Sequence, residues 1–379
     1  MIDPAQPGVL LTLFSFAVVI GLVVFVHEFG HYLAGRIFGV KADVFSIGFG
    51  RELLGWTDRR GTRWKVSVLP LGGYVKFAGD MSPASQADPA WLSLPAEERK
   101  RTFQAKALWQ KAIIVFAGPA INFIFAIVIF AGFFQAYGIP ETPTRIEQVI
   151  EGTAAARAGL KPGDTILSID GQNTRVFEDI ARVVAIHPGE RVIVRLRRDG
   201  RLYDQPIRLD SFEEVDRFGN RNRIGRLGIS PGAQIITDKP LPQTIVAATV
   251  RTGQLVSVMI TAIEQVVTGR RPVEELGGPI KIAQFAGQTA TLGWQPLVQF
   301  MAFISINLGF INLLPVPMLD GGHLLFYAIE AVRRRPIKPK AQQWAFMSGL
   351  AVLVSLMVFV TINDLGSLGL WEKLAKLAG

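Results

Sequence analysis

At 379 residues, 49% of them hydrophobic, and with a mean hydropathy of +0.32, the chain is more apolar than a soluble protein of its size needs; it has room for several membrane helices plus a soluble domain of roughly 100 residues. The absence of cysteine excludes a disulfide framework and a thiolate metal site, so any metal must rest on His and carboxylate groups. The net charge of +9 is a weak argument for nucleic acid, because the basic clusters flank apolar runs and act there as topology signals, so no nucleic-acid partner is expected.

A first membrane helix is expected within residues 1–38. Gly8 to Val26 is a run of nineteen residues without a charge, long enough to cross a hydrocarbon core of about 30 Å. It lacks the basic leader and small-residue cleavage site of a signal peptide, which predicts a retained span. At its end stands His27-Glu28-Phe29-Gly30-His31. His27 and His31 project from one helical face and can share a cation, while Glu28 is spaced to act as general base on a metal-bound water. Ionisable groups inside a span cost a few kcal/mol each, so three in five positions mark function rather than packing. Arg36 and Lys41 place the helix exit on the cytoplasmic side.

Residues 39–111 predict a cytoplasmic β-hairpin and linker. Asp43–Gly50 and Arg63–Leu69 are strands, a turn falls at Arg59-Arg60-Gly61, and Pro70–Lys76 continues as a glycine-kinked loop. Following the metal motif directly, the hairpin can offer a strand edge to an extended substrate, with Val66, Val68, Gly72 and Gly73 as candidate contacts. A plain hairpin is the alternative. Residues 81–111 are polar and basic, as a linker is. A second span is expected at 112–138, where Gly118-Pro119-Ala120 permits close helix approach and Asn122 should face the bundle interior.

From 139 to 212 the composition is that of a soluble α+β domain. Strands are expected at 145–150, 191–198 and 203–209, and helices at 153–158 and 177–185. The run Ala158-Gly159-Leu160-Lys161-Pro162-Gly163-Asp164-Thr165-Ile166-Leu167-Ser168-Ile169-Asp170-Gly171 closely resembles the PDZ domains associated with proteases, which bind extended peptides along a groove. A domain that only occludes the active site is the alternative. Residues 213–294 predict a linker with amphipathic helices. Within it, Pro242–Thr268 is interrupted by Arg251, Gln254, Glu264 and Gln265 and is expected to lie on the membrane surface rather than span it.

A third transmembrane segment is expected at 295–332, broken by Pro315 and Pro317, as tolerated at membrane depth only around a site. There Asp320 is the candidate third metal ligand, completing two His and a carboxylate with a fourth position open for water; His323 is its rival. Residues 333–343 form a basic cytoplasmic loop with Arg333, Arg334, Arg335, Lys338 and Lys340, and 344–379 hold a fourth helix and a tail. The expected fold is a polytopic α-helical membrane protein of about four transmembrane helices, with a cytoplasmic membrane-associated β-hairpin and an inserted PDZ domain. In that topology His27, His31 and Asp320 meet near the cytoplasmic end of their helices, and the PDZ domain and both termini lie opposite.

Taken together, His27–His31, Gly118-Pro119 with Asn122-Phe123, the PDZ segment, Gly277–Ala283 and Ser305–His323 resemble the site-2 protease family, the M50-type intramembrane zinc metalloproteases, in a single-PDZ form of the bacterial regulator-of-sigma-E branch. The resemblance implies Zn2+ on His27, His31 and Asp320, water activation by Glu28, and substrate contacts from Asn307 and Asn312. It implies a bacterial inner membrane location with an extracytoplasmic PDZ domain. The implied partners are the lipid bilayer and single-span protein substrates of the anti-sigma-factor type, with remnant signal peptides as further substrates. Two other function classes remain: a non-catalytic scaffold, which predicts a closed site with a fourth protein ligand, and a metal transporter, which predicts several intramembrane carboxylates.

Overall fold

The computed structural model describes residues 7–80, 93–215, 221–269 and 277–367. Expectations that fall on 1–6, on linker residues 81–92, on 216–220 and 270–276, and on the tail 368–379 lie outside the described residues. In chain order the elements are α1 (Val9–Ile37), β1 (Ala42–Thr57), β2 (Arg63–Phe77), the single turn α2 (Ala96–Arg99) and α3 (Leu108–Tyr137). Next come β3 (Ile139–Glu141), β4 (Ile146–Val149), α4 (Ala154–Arg157), β5 (Thr165–Ile169), β6 (Gln172–Asn173), α5 (Phe177–Ala185), β7 (Arg191–Arg198) and β8 (Arg201–Arg208). Then follow β9 (Asp210–Val215), β10 (Arg221–Arg226), β11 (Ile229–Pro231), β12 (Ile235–Thr237), α6 (Leu241–Val267), α7 (Pro279–Thr291), α8 (Trp294–Asn312), α9 (Asp320–Arg333) and α10 (Pro339–Ser367). They fall into two compact units, divided after Ala131 and again after Ala247.

Among the described residues, five helices are long and apolar enough to cross a membrane: α1, α3, α6, α8 and most of α10. Their exposed apolar side chains, such as Val128 and Val352 at 62% and 61%, are unfavourable in water and favourable in lipid. The sequence predicts four spans; the additional candidate is α6, expected on the membrane surface. It is one unbroken 27-residue helix whose Leu255, Val256 and Met259 pack against Ala126 of α3 and Ala302 and Ile306 of α8. Its polar residues lower the local hydropathy, yet one apolar stripe suffices to dock it on its neighbours.

In the first unit, small residues let the helices approach at backbone distance, which is how helices associate where lipid removes the hydrophobic drive. A Cβ on Gly30 of α1 would strike the Ala117 carbonyl and Ile121 of α3. Gly309 of α8 sits against α3, where a Cβ would lie 3.1 Å from the Pro119 carbonyl and 3.3 Å from Asn122 Cβ. Val19 and Val23 of α1 complete the contact with Met301 and Ile304 of α8.

The strands β1 and β2 both fold over on themselves. Residues 42–47 pair with 73–77 and also with 63–66, while 63–67 pair on their other side with 52–57. The segment 63–67 is therefore interior, and 73–77 is an edge. Aromatic packing fixes this sheet beside α1: Phe45 stacks on Trp64 at 4.3 Å between ring centres, and Phe25 and Tyr32 of α1 lie edge-on to Phe45. The segment 70–76, expected as a glycine-kinked loop, belongs to strand β2, because the partners of its second half lie some thirty residues earlier and are invisible to local pattern.

After α8 the chain stops being helical at Leu313, as Pro315 and Pro317 dictate, and Met318 adopts φ +85° before α9 begins at Asp320. Gly321 and Gly322 allow this turn to close, since a Cβ there would strike the carbonyls of Leu313, Leu314 and Val316. At the other end of the bundle, buried Asp364 of α10 accepts the backbone amides of Gly278 and Lys281 at the start of α7.

The second unit holds a four-stranded sheet in the order β6-β5-β7-β8, with the apolar face of α5 against it. Alternation along β7 puts Val192, Val194 and Leu196 into a core with Ile166, Ile169, Ile180 and Ile207. The unit runs past residue 212, where the sequence places its end: β11 pairs back onto β4, and β12 onto β3. Those partners are between eighty and a hundred residues apart, and β11 and β12 have only three residues each, too short for alternation to announce.

Candidate metal centre

His27 and His31 stand one turn apart in the last third of α1, and Asp320 opens α9. Nearly three hundred residues of chain separate the two contributions, and the proline-broken turn after α8 brings them together. His27 Nε2 lies 3.3 Å from His31 Nε2, and Asp320 Oδ2 lies 3.2 and 3.4 Å from the two nitrogens. A tetrahedral cation with ligand bonds of about 2.0–2.1 Å sets its ligands roughly 3.3 Å apart, so this nearly equilateral triangle fits a zinc ion. Asp320 Oδ2 is also a buried oxygen without a hydrogen-bond partner of its own, as a metal ligand would be before its cation is added.

The three donors line a cavity of about 240 Å³ with Glu28, Gly72, Gly73, Tyr74, Asn312 and His323. Glu28 faces the edge strand: a Cβ on Gly73 would lie 3.2 Å from its Cγ. Asn312, the last residue of α8, holds its amide 3.5 Å from His27 Nε2. His31 Nδ1 is 2.9 Å from the carbonyl oxygen of Ile114, and His27 Nδ1 is 3.1 Å from the Asn122 amide, both on α3.

Of the residues expected at the site, His27, Glu28, His31, Asp320, Gly72, Gly73 and Asn312 line one cavity. Asn307 is partly buried on α8 and is not in its wall. Val66 and Val68 are not in it either: Val66 is paired with Ile47 on one side and Leu54 on the other, and Val68 is 48% exposed. Of the expected edge 63–76, only the part from 73 onward is unpaired on one side among the described residues, while 63–67 is interior, for the topological reason above. His323, the rival ligand, lies in the wall but outside the donor cluster, its ring tilted against Phe346 at 5.0 Å. Among the described residues the cluster therefore has three candidate donors and no fourth His, Cys, Asp or Glu, a donor count that would leave a tetrahedral site one position open. The backbone partner Ile114 carries no sequence signal. Asn122 carries one, as a lone amide in an uncharged span.

The model of peptidase family M50 matches residues 15–356. A relative in Agrobacterium fabrum, named "Putative zinc metalloprotease Atu1380", is 46% identical over 93% of this chain and 95% of its own length. "Metalloprotease MmpA" of Caulobacter vibrioides is 37% identical over 98% of this chain and 99% of its own. A solved PDZ domain of an SdrC-like protein from Listeria monocytogenes aligns with 24% of the chain at 19% identity and a TM-score of 0.19. A family match along almost the whole length, on a chain whose apolar helices bring two histidines and an aspartate to one open cavity, leads to one assignment: the chain belongs to peptidase family M50, the zinc metalloproteases of site-2 protease type.

Proposed function

We propose that the chain is an intramembrane endopeptidase, with zinc held by His27, His31 and Asp320 and with Glu28 as its general base. The observation that carries this reading is the convergence of the three donor atoms with Glu28 in one cavity, on a helix apolar enough to span a membrane. When bound there, zinc supplies Lewis acidity to the scissile carbonyl and lowers the pKa of water. Glu28 takes the proton of the attacking water on its carboxylate and returns it to the leaving amide nitrogen. Gly73 of the edge strand packs directly on the Glu28 side chain, which sets the carboxylate beside that edge.

A helical amide is shielded by its own turn, so the substrate must be extended before attack. The edge 72–77 offers it backbone partners beside Glu28, by strand addition. In this reading Asn312, whose amide lies 3.5 Å from His27 Nε2, donates to the substrate backbone, while Asn307, outside the cavity wall, makes no contact within it. The substrates are single-span proteins of the anti-sigma-factor type and remnant signal peptides, cleaved in the bacterial inner membrane. The second unit acts as an extracytoplasmic PDZ domain that meets a peptide or an ectodomain. The three-ligand cluster argues against a scaffold with a structural metal.

The test uses detergent-purified chain, wild type beside Glu28→Gln, with a labelled single-span substrate and metal analysis of both. Cleavage within the span by the wild type, together with a variant that retains about one zinc but does not cleave, supports the reading. Zinc in both proteins, with no cleavage of several such substrates by either, defeats it.

A further inference from the structure

A neutral imidazole carries one N–H, so a histidine that gives Nε2 to a metal must carry its proton on Nδ1 and needs an acceptor there. For His31 the acceptor is fixed: the Ile114 carbonyl, 2.9 Å away, can only accept. His27 is different. Its Nδ1 faces the side-chain amide of Asn122 at 3.1 Å, and an amide can either donate or accept.

The orientation in this structure has Nδ2 toward His27 Nδ1, and leaves Asn122 Oδ1 buried with no partner among the described residues. With Nδ2 donating, Nδ1 must be the lone pair. The proton then sits on Nε2, 3.2 Å from Asp320 Oδ2, and that tautomer cannot ligate. A half-turn about Cβ–Cγ exchanges the amide oxygen and nitrogen with almost no change of shape. The Asn122 side chain is held by its surroundings: it is fully buried and Gly309 closes on its Cβ, while Ser305 Oγ donates at 3.0 Å to the backbone carbonyl only and does not touch the amide.

We propose that Asn122 is a positioning residue for the metal centre: its Oδ1 accepts from His27 Nδ1–H, which selects the tautomer that leaves Nε2 for zinc. One face of α3 thereby sets the proton position on both histidines, through a backbone carbonyl for one and a side-chain amide for the other. The inference rests on His27, His31 and Asp320 being the zinc ligands.

The experiment measures the zinc dissociation constant of full-length protein in detergent by competition with a chromophoric chelator, for wild type, Asn122→Leu, Asn122→Asp and Ser305→Ala. The visible spectrum of the cobalt-loaded proteins is the second readout. A carboxylate at 122 still accepts, so Asn122→Asp should bind zinc within about threefold of wild type, while Asn122→Leu should bind about 10- to 100-fold more weakly. Ser305→Ala, which removes only the bond to the backbone of residue 122, should match wild type in both readouts.

Wild-type affinity in Asn122→Leu overturns the inference, and so does a loss in Asn122→Asp as large as that in Asn122→Leu, which would mean that shape matters and not the acceptor. Should the leucine variant not fold, Asn122→Asp against Asn122→Ala decides by the same ordering. A wild-type protein that binds no zinc would instead defeat the metal reading beneath it.

Discussion

Gly118 offers a perturbation for which helix propensity and tertiary structure predict opposite signs. It lies inside α3, where alanine is favoured over glycine by about 1 kcal/mol, so local reasoning expects Gly118→Ala to stabilise. In the folded chain the new Cβ would fall onto His31 Nε2 and lie 2.5 Å from Cε1 and 2.8 Å from Cδ2 of the same ring. Carbon contacts settle near 3.5–4.0 Å, so the imidazole would have to withdraw by about 1 Å. A metal site tolerates about 0.2 Å in its ligand distances, so that displacement removes His31 from the donor triangle. We expect zinc affinity to fall by roughly 100-fold or more, beyond what the loss of an outer hydrogen bond does. Gly132→Ala, in the same helix, is the control, because a Cβ there meets nothing within 4 Å. Metal analysis after gel filtration, with chelator competition, reads both variants. Zinc bound by Gly118→Ala as tightly as by wild type would refute the placement of His31 at that crossing, and with it the triangle.

Two further outcomes follow, one at the edge strand and one in the second unit. Gly73→Ala would put a Cβ 2.7 Å from the Ser46 carbonyl, 2.8 Å from Val24 and 3.2 Å from Glu28 Cγ, pushing the edge strand off the base; kcat/KM should fall about 10- to 100-fold with zinc retained, and loss of zinc alongside activity would contradict the division between strand and metal. In the second unit, burial alone would raise the Asp164 carboxyl, but two bonds from Arg198 at 2.6 and 2.7 Å and one from the Lys161 amide outweigh it and hold the carboxyl below its ordinary value. A depressed folded-state value contributes stability that is complete above the unfolded carboxyl's value of about 4 and is lost as pH falls through the folded one. Arg198→Leu strands a buried carboxylate and should cost about 3 kcal/mol at pH 7, and calorimetry of the full chain should show that difference shrinking below about pH 4. A difference independent of pH would exclude the ion pair as its source.

How much of this was legible beforehand depends on the range of the interaction. The apolar runs, the histidine pair with Glu28, and the helix and strands of the second unit at 177–185 and 191–198 are written locally, in period and spacing, and stand in the structure within a few residues of expectation. Val66 and Val68 mislead because alternation reports that a strand is half exposed, not which neighbour pairs with it; the fold of β1 over β2 decides that. The end of the second unit at residue 212 fails for the same reason, since β11 and β12 exist only through partners far back in the chain.

The metal centre divides in the same way. By itself the sequence determined the ligand chemistry: with no cysteine, two histidines one helical turn apart and an aspartate after a proline-broken span are the donors on offer, and side-chain chemistry is a local property. Tertiary structure alone decided that His27, His31 and Asp320 form a triangle of 3.2–3.4 Å, that His323 turns to Phe346, and that α3 presents Ile114 and Asn122 to the far sides of the histidines. Those are distances between residues up to three hundred positions apart, and they are set by how closely glycine-lined helices can pack, which no window of the sequence contains.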